Sequence, residues 1–185
     1  MMTEYKPAFK QGLRMAIVSI LLFVVLYAID PMFYAKWQGW VVALVVNMLA
    51  LPIVFMILGA KGCKPNFTPF TFGNAFNAAF FTGIVSIAIV LVFNIIFVTI
   101  IDTSWEQEFG EEILNSTEGF MEWMGAPQEA IDEAMEKARA DASKQSKGIL
   151  EQLKQTGKWL FWYIILALVI GAIQKERKKE DTLVV

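Results

Sequence analysis

Four long apolar stretches dominate this chain of 185 residues: Leu13 to Ile29, Trp40 to Leu58, Ala78 to Ile101 and Trp159 to Ile173. The hydrocarbon core of a bilayer is about 30 Å thick, and an α-helix needs about 20 apolar residues to cross it. The first three stretches meet that length. Composition agrees, because 56% hydrophobic residues and a mean hydropathy of +0.50 exceed what a soluble chain usually carries. The sequence therefore predicts a membrane protein.

The fourth stretch is short, but its flanks are typical of a membrane-spanning helix. One end carries Trp159, Trp162 and Tyr163, and the other carries Lys175, Arg177, Lys178 and Lys179. Aromatic rings prefer the membrane interface, and long lysine side chains extend to it from a short helix. We predict an all-α membrane protein with transmembrane helices at about 13–34, 38–59, 75–101 and 159–174, the first three of which occupy residues 1–101.

Charge changes abruptly at Asp102. Residues 91–101 carry no charge, whereas residues 102–158 carry thirteen acidic and six basic side chains. Lys and Arg are concentrated in the N-terminal segment, in the turn after the second stretch and in the tail, 175–185. Because basic flanks favour the cytoplasmic side, we expect both termini and the basic tail 175–185 in the cytoplasm. Residues 102–158 are then extracytoplasmic.

The acidic segment 102–158 is amphipathic and predicts a helical hairpin. One helix begins at Trp105, Gly125-Ala126-Pro127 ends it, and a second begins near Gln128 with no strong break before the fourth stretch. A two-helix hairpin buries little apolar surface by itself. Its apolar residues are therefore candidates for docking a partner: Phe109, Ile113, Phe120, Met121, Met124, Ile131, Met135, Ile149 and Leu153.

Small and polar residues recur at helical spacing within the apolar stretches, and such stripes are expected to face the interior of a helix bundle. The clearest lies in the third stretch, where Asn94 returns to nearly the same face as Gly83. The residues that mark helix packing or a polar path are Asn47, Ala79, Gly83, Ser86, Asn94 and Gly171. A lone amide in a span usually bonds to a neighbouring helix. The other interpretation is a polar site for a solute or a lipid headgroup.

The turn between the second and third stretches contains Gly59, Gly62, Pro65 and Pro69, which predict a loop. Thr71 is then placed to cap the third helix. The one cysteine, Cys63, lies in this turn, so an intrachain disulfide is impossible. The thiol also offers a probe of which side the turn occupies.

Motifs for catalysis or cofactor binding are missing from the sequence. The chain has no His, no Gly-x-Ser-x-Gly, no phosphate-binding Gly-rich loop and no calcium-binding Asp-x-Asp-x-Asp-Gly loop. The charges of residues 137–147 are mixed in sign, unlike a nucleic-acid patch. We expect no catalytic residue, no metal, no cofactor and no nucleic-acid partner.

The segment FTFGNAFNAAFFTGIVSIAIVLVF at the third span, together with the later MGAPQEAIDEAMEKA, resembles the bacterial membrane proteins grouped as domain of unknown function 4199. The resemblance covers essentially the whole chain. It implies a small multi-pass protein of the bacterial inner membrane with a soluble insert before its last span. It implies no activity and no catalytic residue.

Two functions fit the sequence. The first is a non-enzymatic membrane accessory or scaffold subunit whose hairpin docks a partner, with an envelope-lipid or glycan enzyme as one candidate. The partner would be another membrane protein or a second copy of the chain, with membrane lipid around it. The alternative is a small transporter or lipid-handling protein with a polar path between its helices. Intramembrane polarity is sparse, which favours the accessory subunit.

Overall fold

The computed structural model describes residues 3–144 and 149–176, without the side chains at 141–144, 149–156 and 158. Within this part no strand occurs, and the all-α prediction is confirmed. The six described helices are α1 Lys6–Ile29, α2 Trp37–Asn66, α3 Phe72–Ile101, α4 Trp105–Trp123, α5 Gln128–Lys144 and α6 Ile149–Gln174. A short 3₁₀ turn, Phe33–Ala35, lies between α1 and α2.

Three helices are long and apolar enough to cross a membrane. They are α1, with 24 residues, and α2 and α3, with 30 residues each. Helix α6 has 26 residues, but its apolar part, Trp159–Gln174, is shorter. The helix that contains the fourth apolar stretch therefore begins well before that stretch, as the missing break in the sequence predicts.

Helices α2 and α3 pack on each other, and both α1 and α6 pack on this pair. The interior consists mainly of small side chains and methionine: Ala8, Met15, Met56, Ala60, Ala75, Ala79, Ala167 and Ile170. Lipid tails are as apolar as leucine, so helices in a membrane associate through close van der Waals packing of small residues. Many large aliphatic and aromatic side chains are exposed on the outside of the helices, including Leu21, Val25, Trp40, Leu44 and Phe161.

The link between α2 and α3 is shorter than the sequence predicts. Helix α2 continues through Cys63 and ends in a 3₁₀ turn, Lys64–Asn66. Gly59 lies within the helix and packs against Thr82 of α3, where a Cβ would collide. This glycine therefore allows close packing of two helices and does not form a turn. The predicted cap of α3 is confirmed, since the Thr71 hydroxyl accepts a hydrogen bond from the Asn74 N–H at 3.3 Å.

One end of the molecule, here called the Cys63 end, joins the end of α6 to the start of α3. The Glu176 N–H donates to the Phe70 carbonyl at 2.9 Å, and the Phe70 N–H donates to the Glu176 carboxylate at 3.0 Å. Lys64 lies 3.6 Å from the same carboxylate. Tyr5, just before α1, packs nearby with its ring centroid 5.3 Å from that of Phe67.

At the opposite end, here called the Asp102 end, α4 and α5 follow α3 and contact each other. Their bounds agree with the breaks predicted from sequence. Gly125 adopts a positive φ of 75° in the turn between them, a conformation that costs glycine little. Pro127 precedes α5, and its carbonyl accepts from the N–H groups of Ala130 and Ile131 at 3.0 and 3.2 Å. Arg139 of α5 lies 3.7 Å from Glu118 of α4.

Candidate functional site

The small residues predicted to pack between helices are buried. Gly83 of α3 lies against the ring of Tyr163 in α6, and a Cβ on Gly171 would lie 3.2 Å from the Cα of Phe76. Ala79 and Ser86 are also buried in α3. These contacts bring α3 and α6 close together along the part of α6 that begins near Tyr163.

Thr82 connects α3 to α1, and sequence periodicity did not single it out. Its buried hydroxyl lies 2.9 Å from the Ala78 carbonyl of its own helix and 3.3 Å from the Ala8 carbonyl of α1, and it donates to these oxygens. Gly12 of α1 comes so close that a Cβ there would lie 2.6 Å from the Thr82 carbonyl oxygen. A small residue beside a hydroxyl is a common helix-packing arrangement in lipid.

A proline in α2 explains a contact between α2 and α6. Pro52 has no N–H, so it cannot donate to the carbonyl four residues earlier, that of Met48. The Trp162 indole N–H of α6 donates to this carbonyl at 2.9 Å. Backbone groups without a partner are costly in hydrocarbon, and the indole therefore both satisfies α2 and positions α6. The flanking aromatic belt was recognised in the sequence, but this hydrogen bond was not.

The two asparagines that the sequence grouped together have different surroundings. The Asn47 amide N–H lies 3.5 Å from the Tyr34 hydroxyl, and its amide oxygen is buried without a hydrogen-bond partner among the described residues. Asn94 is exposed on the outside of α3, whereas its stripe predicts an interior position. The structure therefore does not bring Asn94 into the interior together with Asn47 and Ser86.

Asp102, where the sequence changes from apolar to acidic, joins α3, α4 and α1. One carboxylate oxygen accepts from the N–H groups of Ser104 and Trp105 at 3.2 and 3.0 Å, at the start of α4. The other accepts from the Tyr27 hydroxyl at 2.7 Å. The hydrogen bond from Tyr27 is the main reason that the pKa of Asp102 lies below its ordinary value, although partial desolvation opposes it.

Trp105 fixes the start of α4 against the Asp102 end. Its indole N–H donates to the Pro31 carbonyl at 2.9 Å, and its ring meets Phe97 edge-on with centroids 5.6 Å apart. Phe109, one turn further along, stacks on Trp105 at 4.5 Å. Phe109 thus belongs to an aromatic cluster at the base of α4. The ion pair between Lys36 and Asp30, 2.6 Å apart, lies in the neighbouring loop.

The candidate docking residues divide into two groups. Ile131 and Met135 of α5 are buried, 1% and 3% exposed, in the contact with α4; Ile113 and Met121 are half-buried. Phe120 and Met124 are 54% and 56% exposed, and Trp123, which the sequence reading left out, is 79% exposed. The backbone of α6 includes Ile149 and Leu153, but their side chains lie outside the described residues.

Three residues therefore form an exposed apolar patch at the end of α4, here called the α4 tip: Phe120, Trp123 and Met124. Phe120 and Trp123 stack with ring centroids 5.9 Å apart. Glu122 of α4 and Glu129 of α5, which flank these residues in the sequence, are exposed. In the described part of the chain, no three His, Cys, Asp or Glu side chains are grouped so as to hold a metal ion.

Comparison with known proteins gives one match. A family model described as "Protein of unknown function (DUF4199)" matches residues 10–176, from the second turn of α1 to the end of α6. No curated protein and no solved structure matches the chain. The matched range includes both segments whose resemblance was noted in the sequence. The chain belongs to the DUF4199 family.

Proposed function

We propose that this chain is a non-enzymatic accessory or scaffold subunit of the bacterial inner membrane. In this proposal α1, α2, α3 and the apolar part of α6 form a four-helix transmembrane bundle. Helices α4 and α5 form an extracytoplasmic helical hairpin that docks a protein partner, which is another membrane protein or a second copy of the chain.

Charge supports this orientation. The Cys63 end carries the basic residues Lys6, Lys10, Lys61, Lys64 and Lys175, whereas the Asp102 end carries the carboxylates of α4. Basic flanks favour the cytoplasmic side of a membrane. The Cys63 end is then cytoplasmic together with both termini, and the α4 tip is outside the cytoplasm.

The observation that carries the proposal is the exposure of the α4 tip. In the pair α4 and α5, Ile131 and Met135 are buried, and Ile113 and Met121 are half-buried. The α4 tip, by contrast, remains exposed. It contains the stacked rings of Phe120 and Trp123, and exposing such an apolar patch to water is unfavourable. Tryptophan surrounded by polar residues is typical of the centre of protein interfaces.

Site-specific photocrosslinking in intact cells tests this proposal. A benzophenone amino acid replaces Trp123 in the full-length chain, and a matched control carries it at Gln128, which is exposed on α5. We expect an adduct of defined mass from position 123 and none from position 128. Adding Phe120→Ser and Met124→Ser should abolish that adduct, because the remaining apolar contact is removed.

Two results would contradict an accessory role. One is crosslinking at position 123 to lipid alone, which would mean that the tip inserts into the membrane. The other is a monodisperse, solitary monomer in a mild detergent that preserves known complexes from the same membranes. An adduct with twice the mass of the chain would identify the partner as a second copy.

A further inference from the structure

The α4 tip continues a face of α4 that is packed at the other end of the helix. There the Trp105 indole donates to the Pro31 carbonyl, the Trp105 ring meets Phe97 of α3, and Phe109 stacks on Trp105. Eleven residues make almost three full helical turns, so Phe109 and Phe120 lie only about 20° apart around the helix. The same face is therefore covered near Trp105 and exposed at the α4 tip.

The charged side chains of this part of the chain are all of one sign. Residues 105–136, which include α4 and the first half of α5, carry ten carboxylates and no Lys or Arg. Seven of the ten are exposed: Glu108, Glu111, Glu122, Glu129, Asp132, Glu133 and Glu136. A helix with its side chains is about 10–12 Å wide, and charges act over about 8 Å at physiological ionic strength. The α4 tip therefore lies in a negative electrostatic field.

A lipid surface matches the apolar residues of the α4 tip but not the charge. Amphipathic helices that lie on membranes are rich in Lys and Arg on the polar face, and these cations are attracted to anionic lipids. Helix α4 has six glutamates and no basic residue. Its charges would be repelled by an anionic leaflet and would oppose insertion of Trp123 among the headgroups.

A second copy docked tip to tip is also a poor match. A two-fold symmetric contact places the same surface of both chains face to face. The exposed carboxylates of Glu122 and Glu129 in one copy would then approach those of the other copy. Like charges brought together at an interface suppress the pairing.

We propose, on the basis of the accessory role inferred above, that the α4 tip docks an apolar segment bearing Lys or Arg on a different membrane protein. Phe120, Trp123 and Met124 supply the apolar contact, and the carboxylates of α4 and α5 attract the cations of the partner. Aromatic anchors carry most of the energy of an interface, whereas the charges around them set the rate of encounter and the choice of partner. Extracytoplasmic segments of membrane proteins are poor in Lys and Arg, so this requirement narrows the choice of partner.

Charge reversal in the photocrosslinking chain tests this inference. The benzophenone amino acid stays at position 123, and the chain also carries Glu122→Gln with Glu129→Gln, or Glu122→Lys with Glu129→Lys. We expect the yield of the protein adduct to fall about threefold with the two Gln substitutions and about tenfold with the two Lys substitutions. Neutralisation removes the attraction, and reversal adds repulsion.

Glu108→Lys with Glu111→Lys is the matched control. It changes the charge of the chain by the same amount at two exposed positions of α4. These positions lie about 18 to 22 Å from position 123 along the helix, beyond the reach of a screened charge. The control should give the same yield of adduct as the chain without charge substitutions.

Reversal of charge in the partner completes the test. Mass spectrometry of the adduct identifies the crosslinked peptide, which should contain Lys or Arg beside apolar residues. Changing that cation to Glu should restore the adduct of the chain with Glu122→Lys and Glu129→Lys by at least about threefold. Restoration would also show that this chain folds.

Three results would overturn this inference and leave the accessory role intact. They are a crosslinked peptide without a cation, a yield of adduct that neither pair of substitutions at 122 and 129 changes, and an adduct with twice the mass of the chain. The absence of any protein adduct, or an adduct with lipid alone, would instead remove the accessory role and this inference with it.

Discussion

Single side chains determine how closely these helices approach each other. The sequence predicted the stripe of Ala79 and Gly83 because a small residue every fourth position is visible in the chain. It did not predict Thr82 or Trp162, because periodicity identifies a face of a helix but not the carbonyl on another helix that needs a donor. The exposure of Asn94 is likewise not visible in its spacing, since spacing does not show which parts of a face a neighbouring helix covers.

Replacing Trp162 with phenylalanine should destabilise the protein by about 1 to 2 kcal/mol, because the Met48 carbonyl loses the hydrogen bond from the indole N–H. Thermal unfolding in detergent, followed by circular dichroism, measures the change. Trp159→Phe is the matched control, since Trp159 is half exposed, and its effect should stay within about 0.5 kcal/mol. Equal effects would show that the hydrogen bond to Met48 does not matter.

Gly12→Ala should cost about 1 to 3 kcal/mol, because the new methyl group collides with the backbone of α3. Gly73→Ala, in the open first turn of α3, should be neutral or stabilise by up to about 1 kcal/mol. The same unfolding measurement compares the two variants. A stabilised Gly12→Ala protein would disprove the close approach of α1 and α3.

At the level of elements, turn chemistry made the boundaries of α4 and α5 predictable. Gly125 and Pro127 end one helix and begin the next, and Thr71 caps α3. The extent of α2 was less predictable, since Gly59 in a membrane helix serves packing as readily as a turn. The angle between α4 and α5 determines which apolar residues of α5 face inwards. The spacing of apolar residues along the sequence does not give this angle.

Ile131→Ala or Met135→Ala should destabilise the α4 and α5 pair by about 2 kcal/mol or more, because each leaves a cavity at a buried position. Met124→Ala, at the exposed tip, should change stability by less than about 0.5 kcal/mol. Hydrogen exchange of the α4 and α5 amides measures the local stability. Protection that falls equally in all three variants would contradict the observed division between buried and exposed residues.

Acid should loosen the attachment of α4 at Asp102. The folded state lowers the pKa of this carboxyl group below its ordinary value of 3.8, so ionised Asp102 stabilises the folded state. That contribution is complete above the ordinary value and is lost as pH falls through the lower, folded value. Pepsin cleavage within α4 should therefore accelerate below about pH 4. Asp102→Asn should be cleaved readily throughout this range, and an unchanged pH dependence in that variant would assign the transition to another group.

For the whole molecule, composition and length predicted the three helices that are long and apolar enough to cross a membrane, while the proposed orientation rests on charge. Cys63, which the sequence offers as a topology probe, is fully buried and is a poor target for a thiol reagent. In a Cys63→Ala chain, Lys64→Cys should react with a membrane-impermeant maleimide only after lysis. Gln128→Cys should react in intact spheroplasts, and the reverse result would invert the topology.

The paired hydrogen bonds between Phe70 and Glu176 give α6 a fixed origin at the Cys63 end. Any change in the length of the chain ahead of Trp159 must therefore be absorbed at the far end of that helix, away from these hydrogen bonds. Family members whose inserts differ in length would therefore keep the contact of α3 with α6 between Tyr163 and Gly171. They would differ only in the part of α6 before this contact. A single residue added after Tyr163 would instead rotate the remainder of α6 by about 100°. It would therefore disrupt the contact between α3 and α6 on one side of the insertion.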